Sequence, residues 1–411
     1  MGSIQAFPAV ISEKESFQTT MVSIQAFPAE VAEEENVQTT MGSIQAFPEE
    51  FSEKAHVQTT NMKTLAASLR GQTFSLPKLD TLMPNWPSYI GKHHAQLEAI
   101  AEIKYKKLGH TGEKLARLRR VNCPLPAACW WPEASLEAGI IHMYWFMFIF
   151  EWDDELEGMH MRDVGGNSSQ AEIFRKDTLL FIEHYLGLSS TEGEAPLPPS
   201  EGVGTFTELG DLLKAQYNLT QRKRWFDEVI YFFNMVKVEQ EYIIADQVPS
   251  VEDFWTMRMG SGAVGQANAL GELCLEVGLP SHIHEHPDMQ VLQIEVIKNI
   301  SAVNDLMSLK KELRDDCVMS LIPVYFYNGM ELQTAIDTTW EFLRGSVERF
   351  EEAAKRLLTY VGERSLDYER TVVLINAFRT TQTGNLLWSL ETDRYGLAKY
   401  KIADGSMVVT L

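Results

Sequence analysis

The chain has few cysteines, no surplus of basic residues and no long uninterrupted apolar run, and each shortage excludes something. Its four cysteines, Cys123, Cys129, Cys274 and Cys317, show no zinc-type spacing. They read as reduced core thiols of an intracellular, cytoplasmic protein. The longest apolar run, Ala138–Phe150, is 13 residues long and includes His142. That is short of the ~20 residues a bilayer requires, so no membrane span is expected. The N-terminus lacks the basic region and apolar core of a secretory signal. Acidic residues outnumber basic ones by 57 to 36, for a net charge of −21. No basic patch stands out, which argues against nucleic acid and anionic membrane surfaces as partners. Nor does any series of alternating apolar and polar residues mark a set of strands.

What is present falls into two parts. Residues 1–60 are three copies of a 20-residue unit, with SIQAFP and QTT unchanged in each. A proline recurs in every copy and apolar residues are few, so each unit could bury little. This segment is expected to be a disordered or partly helical extension without chemistry. Residues 61–411 read as helical throughout. Pro-rich loops are expected at Leu76–Pro87 and Val121–Pro132. Helical periodicity covers roughly 90–120, 134–160, 168–188, 206–244, 251–278, 288–314, 332–362 and 367–392. Long helices with short connections predict one all-α bundle.

Within this frame the segment Phe150–Gly158, FEWDDELEG, carries the clearest signal. It sets carboxylates at the end of the apolar run. Asp153 and Glu157 are four residues apart, so on a helix they share one face. An acidic patch at a helix end is commonly a solvated surface. A second oxygen-rich stripe argues otherwise here. Asn304, Ser308 and Glu312, in NDLMSLKKE, fall at i, i+4 and i+8. On a helix these are an amide oxygen, a hydroxyl and a carboxylate along one line. Oxygen donors of this kind suit a hard divalent cation.

Asp153, Asp154 and Glu157 resemble the aspartate-rich motif of class I terpene synthases. Asn304, Ser308 and Glu312 resemble the second metal motif of that family, (N/D)Dxx(S/T)xxxE. Arg258 lies 46 residues before Asn304, where these cyclases carry a diphosphate-sensing arginine. Lys311 precedes the last metal ligand, as in many members. Arg394 and Tyr395 resemble the C-terminal RY pair of microbial enzymes. The wording WWPEAS and WSLETDRY is similar to fungal sesquiterpene synthases, the presilphiperfolanol synthase-like group included.

The resemblance implies a single-domain class I helical bundle around a central cavity. It implies an acyclic isoprenoid diphosphate as substrate, most simply farnesyl diphosphate, and Mg2+, three ions in all. The metal ligands it implies are Asp153, Asp154, Glu157, Asn304, Ser308 and Glu312. In the family, the second aspartate often hydrogen-bonds to arginine instead. Diphosphate contacts would come from Arg258, Lys311, Arg394 and Tyr395. Ser261 and Gly262 would be the linker and effector that follow the sensor arginine, although many members carry Asp where this chain has Ser261. Phe146 and Phe150 share the helix face of Asp153, and Phe254, Trp255 and Trp388 are further cavity candidates. A chain-elongating prenyltransferase would carry two Asp-rich motifs, and a class II cyclase a DxDD motif. Neither pattern is present. A non-enzymatic helical protein would give no reason for the two stripes, Arg258 and the RY pair to coexist.

Four other features read as structural. GSGAVG (Gly260–Gly265) matches GxGxxG but lacks the strands of a dinucleotide site, so a broken helix is expected there. HIHEHP (His282–Pro287) reads as a solvated loop, and Asp315 and Asp316 as exposed. His142 reads as a core residue. The oligomeric state has no signature in the sequence.

Overall fold

The computed structural model describes residues 61–109, 111–162, 168–189, 195–275 and 278–411. The triple repeat at 1–60 lies outside them. A short helix, α1 (Met62–Leu69), leads into strand β1 (Thr73–Leu76). Next come α2 (His94–Lys107), α3 (Gly112–Val121), α4 (Pro124–Trp130) and the long α5 (Leu136–Arg162). α6 (Ser168–Tyr185), α7 (Glu201–Gly204), α8 (Phe206–Gln216) and α9 (Leu219–Ile244) follow. α10 (Val251–Ser261), α11 (Val264–Leu270) and α12 (Ser281–His284) precede α13 (Pro287–Arg314). α14 (Leu321–Tyr327), α15 (Leu332–Val361), α16 (Tyr368–Glu391) and strand β2 (Met407–Thr410) complete the described chain.

The fold is all-α. β1 and β2 form one antiparallel pair, Thr73 opposite Thr410. Phe74, Leu76, Met407 and Val409 point inward from it. The pair anchors the segment after Tyr395, and the periodicity of helices gave no hint of it.

Helix α13 is the centre. It is buried on most of its circumference, from Met289 to Leu313, and packs against α11, α14, α15 and α16. Such a helix shows no broad solvent-facing polar side in sequence, because most of its sides meet protein. α15 is the opposite case, with one apolar face (Leu332, Ile336, Leu343, Phe350, Leu357) turned to α13. Trp152 of α5, fully buried, stacks on Phe233 of α9 at 4.4 Å and reaches Phe174 of α6 at 6.2 Å. This cluster fixes α5, and with it the acidic segment, against its neighbours.

The helix spans depart from the sequence expectation at three joints. The span 90–120 divides at Leu108–Thr111, where α2 ends and Gly112 (φ 58) opens α3. The span 206–244 divides at Tyr217–Asn218, because Asn218 and Gln221 form a reciprocal capping box that starts α9. Val121–Pro132, expected as a loop, contains α4, with Pro124 in its first turn where a missing N–H costs nothing.

HIHEHP is not a solvated loop. His284 is buried and paired with Glu272, and His286 accepts from the Asp288 N–H at the start of α13. Asp315 is exposed, whereas Asp316 pairs with Arg70. His142 is a core residue as expected. It stacks on Trp131 at 3.8 Å, and burial pulls its pKa down to about 3.

α16 lies against α4 with almost no space between backbones. A β-carbon at Gly384 would collide with the Cys129 carbonyl and come within 2.7 Å of the Trp130 nitrogen. Gly384→Ala is therefore expected to lower unfolding stability by about 1–3 kcal/mol. Urea denaturation measures this, and an unchanged midpoint would show that α4 can move aside.

Candidate functional site

Four elements bring the oxygen-rich stripes together: α5, the α10–α11 pair, α13 and the segment after α16. α10 starts at Ser250, whose hydroxyl accepts from the Asp253 N–H, and Glu252 and Asp253 complement the helix dipole. It ends at Ser261. Gly262 caps it, Ala263 takes a left-handed conformation (φ 56), and α11 begins at Val264. The predicted break in GSGAVG is thus present, between Arg258 and the rest of the helix.

Arg258 is the hub. Its Nη2 donates to Asn304 Oδ1 at 3.0 Å and to Asp305 Oδ1 at 2.6 Å. Burial alone would depress this guanidinium, but the carboxylates of Asp305, Glu239 and Glu312 overcome that and hold its pKa above the ordinary value. Asp305 is fully buried, and its other oxygen accepts from the Leu321 N–H at the start of α14, at 2.9 Å. Burial pushes the Asp305 carboxyl upward, against the pull of Arg258. Glu239 of α9 is likewise pushed up, to about 7, by burial, with Arg258 and Ser261 opposing the shift and Asp305 and Glu312 adding to it.

Asn304 passes the contact onward: its Nδ2 donates to the Tyr395 hydroxyl at 2.8 Å. Ser308 donates to the Asn304 carbonyl at 2.8 Å, which leaves its lone pairs unused. Glu312 Oε2 is buried without a hydrogen-bond partner among the described residues. The three residues of the second stripe are therefore on one face of α13, as the spacing predicts. Lys311 is half-buried and makes no ion pair among the described residues.

The first stripe stands on the other side. Asp153 and Asp154 are partly exposed, and both lie near Arg394. Burial works against the Arg394 charge, but Tyr395, Asp153 and Asp154 outweigh it and raise its pKa. Its guanidinium carbon sits 4.8 Å from the Phe150 ring centre, a cation–π contact. Asp154 forms an ion pair with Arg117 of α3 at 2.7 Å. The side chain of Glu157 lies outside the described residues.

Below these groups runs a band of aromatic rings. Phe146 meets Trp130 edge-on at 5.0 Å and lies 6.3 Å from Phe150. Phe150 is 6.0 Å from Trp388, which is 5.6 Å from Tyr395. Phe146, Phe150 and Trp388 thus come together. Phe254 and Trp255 do not join them through any ring contact among the described residues. Trp255 stacks on Phe342 of α15 at 4.8 Å and Phe254 packs against Trp255. Trp130, Trp131 and Trp145 belong to the band and were not singled out as site residues, although WWPEAS was visible. Glu239, Asp305 and Arg117 were also missed. Only Asp305 had a sequence signal, its place beside Asn304.

Residues 144–349 match the family model described as terpene synthase family 2, C-terminal metal binding. The chain belongs to that family of terpene synthases. Among characterised relatives it is similar to the sesquiterpene cyclase hepA of Aspergillus oryzae, 29% identical over 343 residues, covering 81% of this chain and 92% of that protein. The terpene cyclase braA of Annulohypoxylon truncatum is 25% identical over 338 residues, covering 79% and 86%. Among solved structures, a-eudesmol synthase superposes with a TM-score of 0.64 at 16% identity, over 74% of this chain and 97% of that one. Hedycaryol synthase in complex with nerolidol gives 0.60 at 18% identity, over 74% and 96%. These two likenesses concern the fold. No described helix is long and apolar enough to cross a membrane.

Family membership brings metal binding, and the oxygen donors present suit a hard cation. Among the described residues, a buried carboxylate oxygen of Glu312 has no donor, and the Nε atoms of Arg258 and Arg394 have no acceptor. Three carboxylates, Glu239, Asp305 and Glu312, surround the single Arg258 charge. Among the described residues no group of three or more His, Cys, Asp or Glu side chains is arranged to hold a metal. The donors on α13 are of mixed type, amide, hydroxyl and carboxylate.

Beneath the break, the Glu228 carboxyl of α9 lies against Gly265, where any side chain would overlap it. Burial, with Asp227 adding to it, pushes the Glu228 pKa up to about 7 from an ordinary 4.5. Below pH 4.5 the group is protonated folded and unfolded alike. As pH rises further the unfolded chain ionises first, so stability falls until the folded group ionises too. Between pH 4.5 and 7 the wild type is expected to lose up to about 3 kcal/mol that Glu228→Gln does not lose. Parallel pH–stability curves for the two proteins would contradict this.

Proposed function

We propose that the chain is a sesquiterpene synthase. It binds an acyclic isoprenoid diphosphate, most simply farnesyl diphosphate, releases the diphosphate, and directs the carbocation to a cyclic hydrocarbon or alcohol. The observation that carries the reading is a set of three buried charged atoms without hydrogen-bond partners among the described residues, Arg258 Nε, Arg394 Nε and Glu312 Oε2, around one bonded chain. Two guanidinium groups with spare donors suit an anion, and a spare carboxylate oxygen suits a cation. A metal-bound diphosphate supplies both.

In this reading Asn304, Ser308 and Glu312 hold metal on α13, and Asp153 holds it on α5. Asp154 is set apart from this role by its ion pair with Arg117. Glu157 keeps only the support of its spacing. Mg2+, three ions in all, would neutralise charge on the diphosphate as its bond to carbon weakens. Arg258, Lys311, Arg394 and Tyr395 bind and orient the diphosphate through charged and neutral hydrogen bonds. Arg258 begins bonded to Asn304 and Asp305, so diphosphate binding would redirect an arginine that is already held near its working position. Ser261 and Gly262 carry any movement of Arg258 into the break. Phe146, Phe150 and Trp388 exclude water and present ring faces to the cation, each worth about 0.5–2 kcal/mol.

Three measurements test this. Incubation with C10, C15 and C20 isoprenoid diphosphates and Mg2+, followed by gas chromatography–mass spectrometry, should give a cyclic product from C15. No cyclic hydrocarbon or alcohol from any of them would refute the reading. Asp153→Ala and Asn304→Ala should each lower kcat/KM at least ~100-fold while circular dichroism stays native. Wild-type turnover in either variant would remove that residue from the site. Deleting residues 1–60 should leave turnover within about twofold, since that segment carries none of these groups.

A further inference from the structure

Ser301 lies on α13, three residues before Asn304 and on the same helix face, one turn deeper in the bundle. It is 2% exposed, and its hydroxyl has no hydrogen-bond partner among the described residues. A helical serine ordinarily returns its hydroxyl to the carbonyl one turn back, as Ser308 does. Ser301 does not. Instead it abuts the helix break: a β-carbon at Gly262 would lie 3.3 Å from the Ser301 hydroxyl oxygen. The hydroxyl of Ser261, the last residue of α10, is also buried without a partner in hydrogen-bond geometry, although the Glu239 carboxyl is close to it. One orphaned hydroxyl, that of Ser301, and a second, that of Ser261, set beside the Glu239 carboxyl, therefore flank Gly262. A helix end supplies carbonyls that have lost their intrahelical donors. Buried polar groups in such a setting are commonly satisfied by an ordered water with two to four partners.

We propose that Ser301 and Ser261 hold one water molecule at the break between α10 and α11, and that this water ends the cyclisation, so that the product is a sesquiterpene alcohol. This deepens the function proposed above and rests on it. The water oxygen gives a lone pair to the cationic carbon and forms a C–O bond. One proton of the resulting oxonium passes to the diphosphate released at ionisation. The net change is loss of diphosphate and addition of water, with no oxidation or reduction. Freely exchanging water would quench the first cation formed. A water held by two hydroxyls meets only the carbon that the folded chain brings to it, about one helical turn below the Asn304 amide.

The test is turnover of farnesyl diphosphate in 18O-labelled water by the full chain. Wild type should yield an alcohol carrying one 18O atom. Ser301→Ala should still consume substrate, with the alcohol share falling roughly fivefold or more in favour of hydrocarbons, the effect of one lost hydrogen bond. Should that variant not fold by circular dichroism, the product ratio of the near-isosteric Ser301→Cys, a poor hydrogen-bond partner for water, supplies the same comparison. Hydrocarbons alone from wild type, an alcohol without label, or an unchanged alcohol share in the folded variants would overturn the proposal. Failure of wild type to consume any isoprenoid diphosphate would instead refute the function on which it rests.

Discussion

The buried guanidinium of Arg258 is the interaction on which the site depends. It is anchored on α10 just before the break, yet its bonds are to α13, through Asn304 and Asp305. Asp305 spends its second oxygen on the first turn of α14, and Asn304 spends its amide nitrogen on Tyr395. One positive charge thus sets the positions of two helices and of the segment after α16. It is also outnumbered, since Asp305, Glu239 and Glu312 all act on it. A buried cluster with excess negative charge is stable only if protons or added cations offset it. The raised pKa of Glu239, about 7, is the proton-based form of that compensation. Metal binding is the other form, and the family to which the chain belongs is one that binds metal.

The opposite wall is organised by Arg394. It lies over Phe150 and within the field of Asp153 and Asp154. The same arginine therefore touches the polar rim and the aromatic band. Phe150 belongs to both as well. The chemistry proposed for the site needs this junction, because a charged head and an apolar tail must be bound side by side.

Much of the frame was legible in the sequence, and the reasons differ by element. α13 was expected over 288–314 and runs Pro287–Arg314, because its periodicity is long and His286 and Pro287 mark its start. The break after Ser261 was legible from its glycines. The capping box at Asn218 and the helix Pro124–Trp130 were not, since both depend on local hydrogen bonds that apolar spacing does not encode. At the site, Asn304, Ser308 and Glu312 share a face because helical spacing is geometry within one element. Arg117 opposite Asp154, and Glu239 beside Arg258, arise between elements far apart in the chain, and no spacing announces them. Trp255 shows the converse. It lies three residues from Arg258, on the same helix face, yet its ring stacks on Phe342 of α15, a contact between elements that helical spacing does not encode.

Calorimetric titration of inorganic diphosphate into the protein tests the central claim most directly. With Mg2+ present, diphosphate should bind to wild type and bind far more weakly to Arg258→Ala. With the metal chelated, binding to wild type should vanish, because the surplus carboxylates around Arg258 then face the anion unscreened. Equal diphosphate affinity with and without Mg2+, or an Arg258→Ala variant that binds as wild type does, would contradict the account.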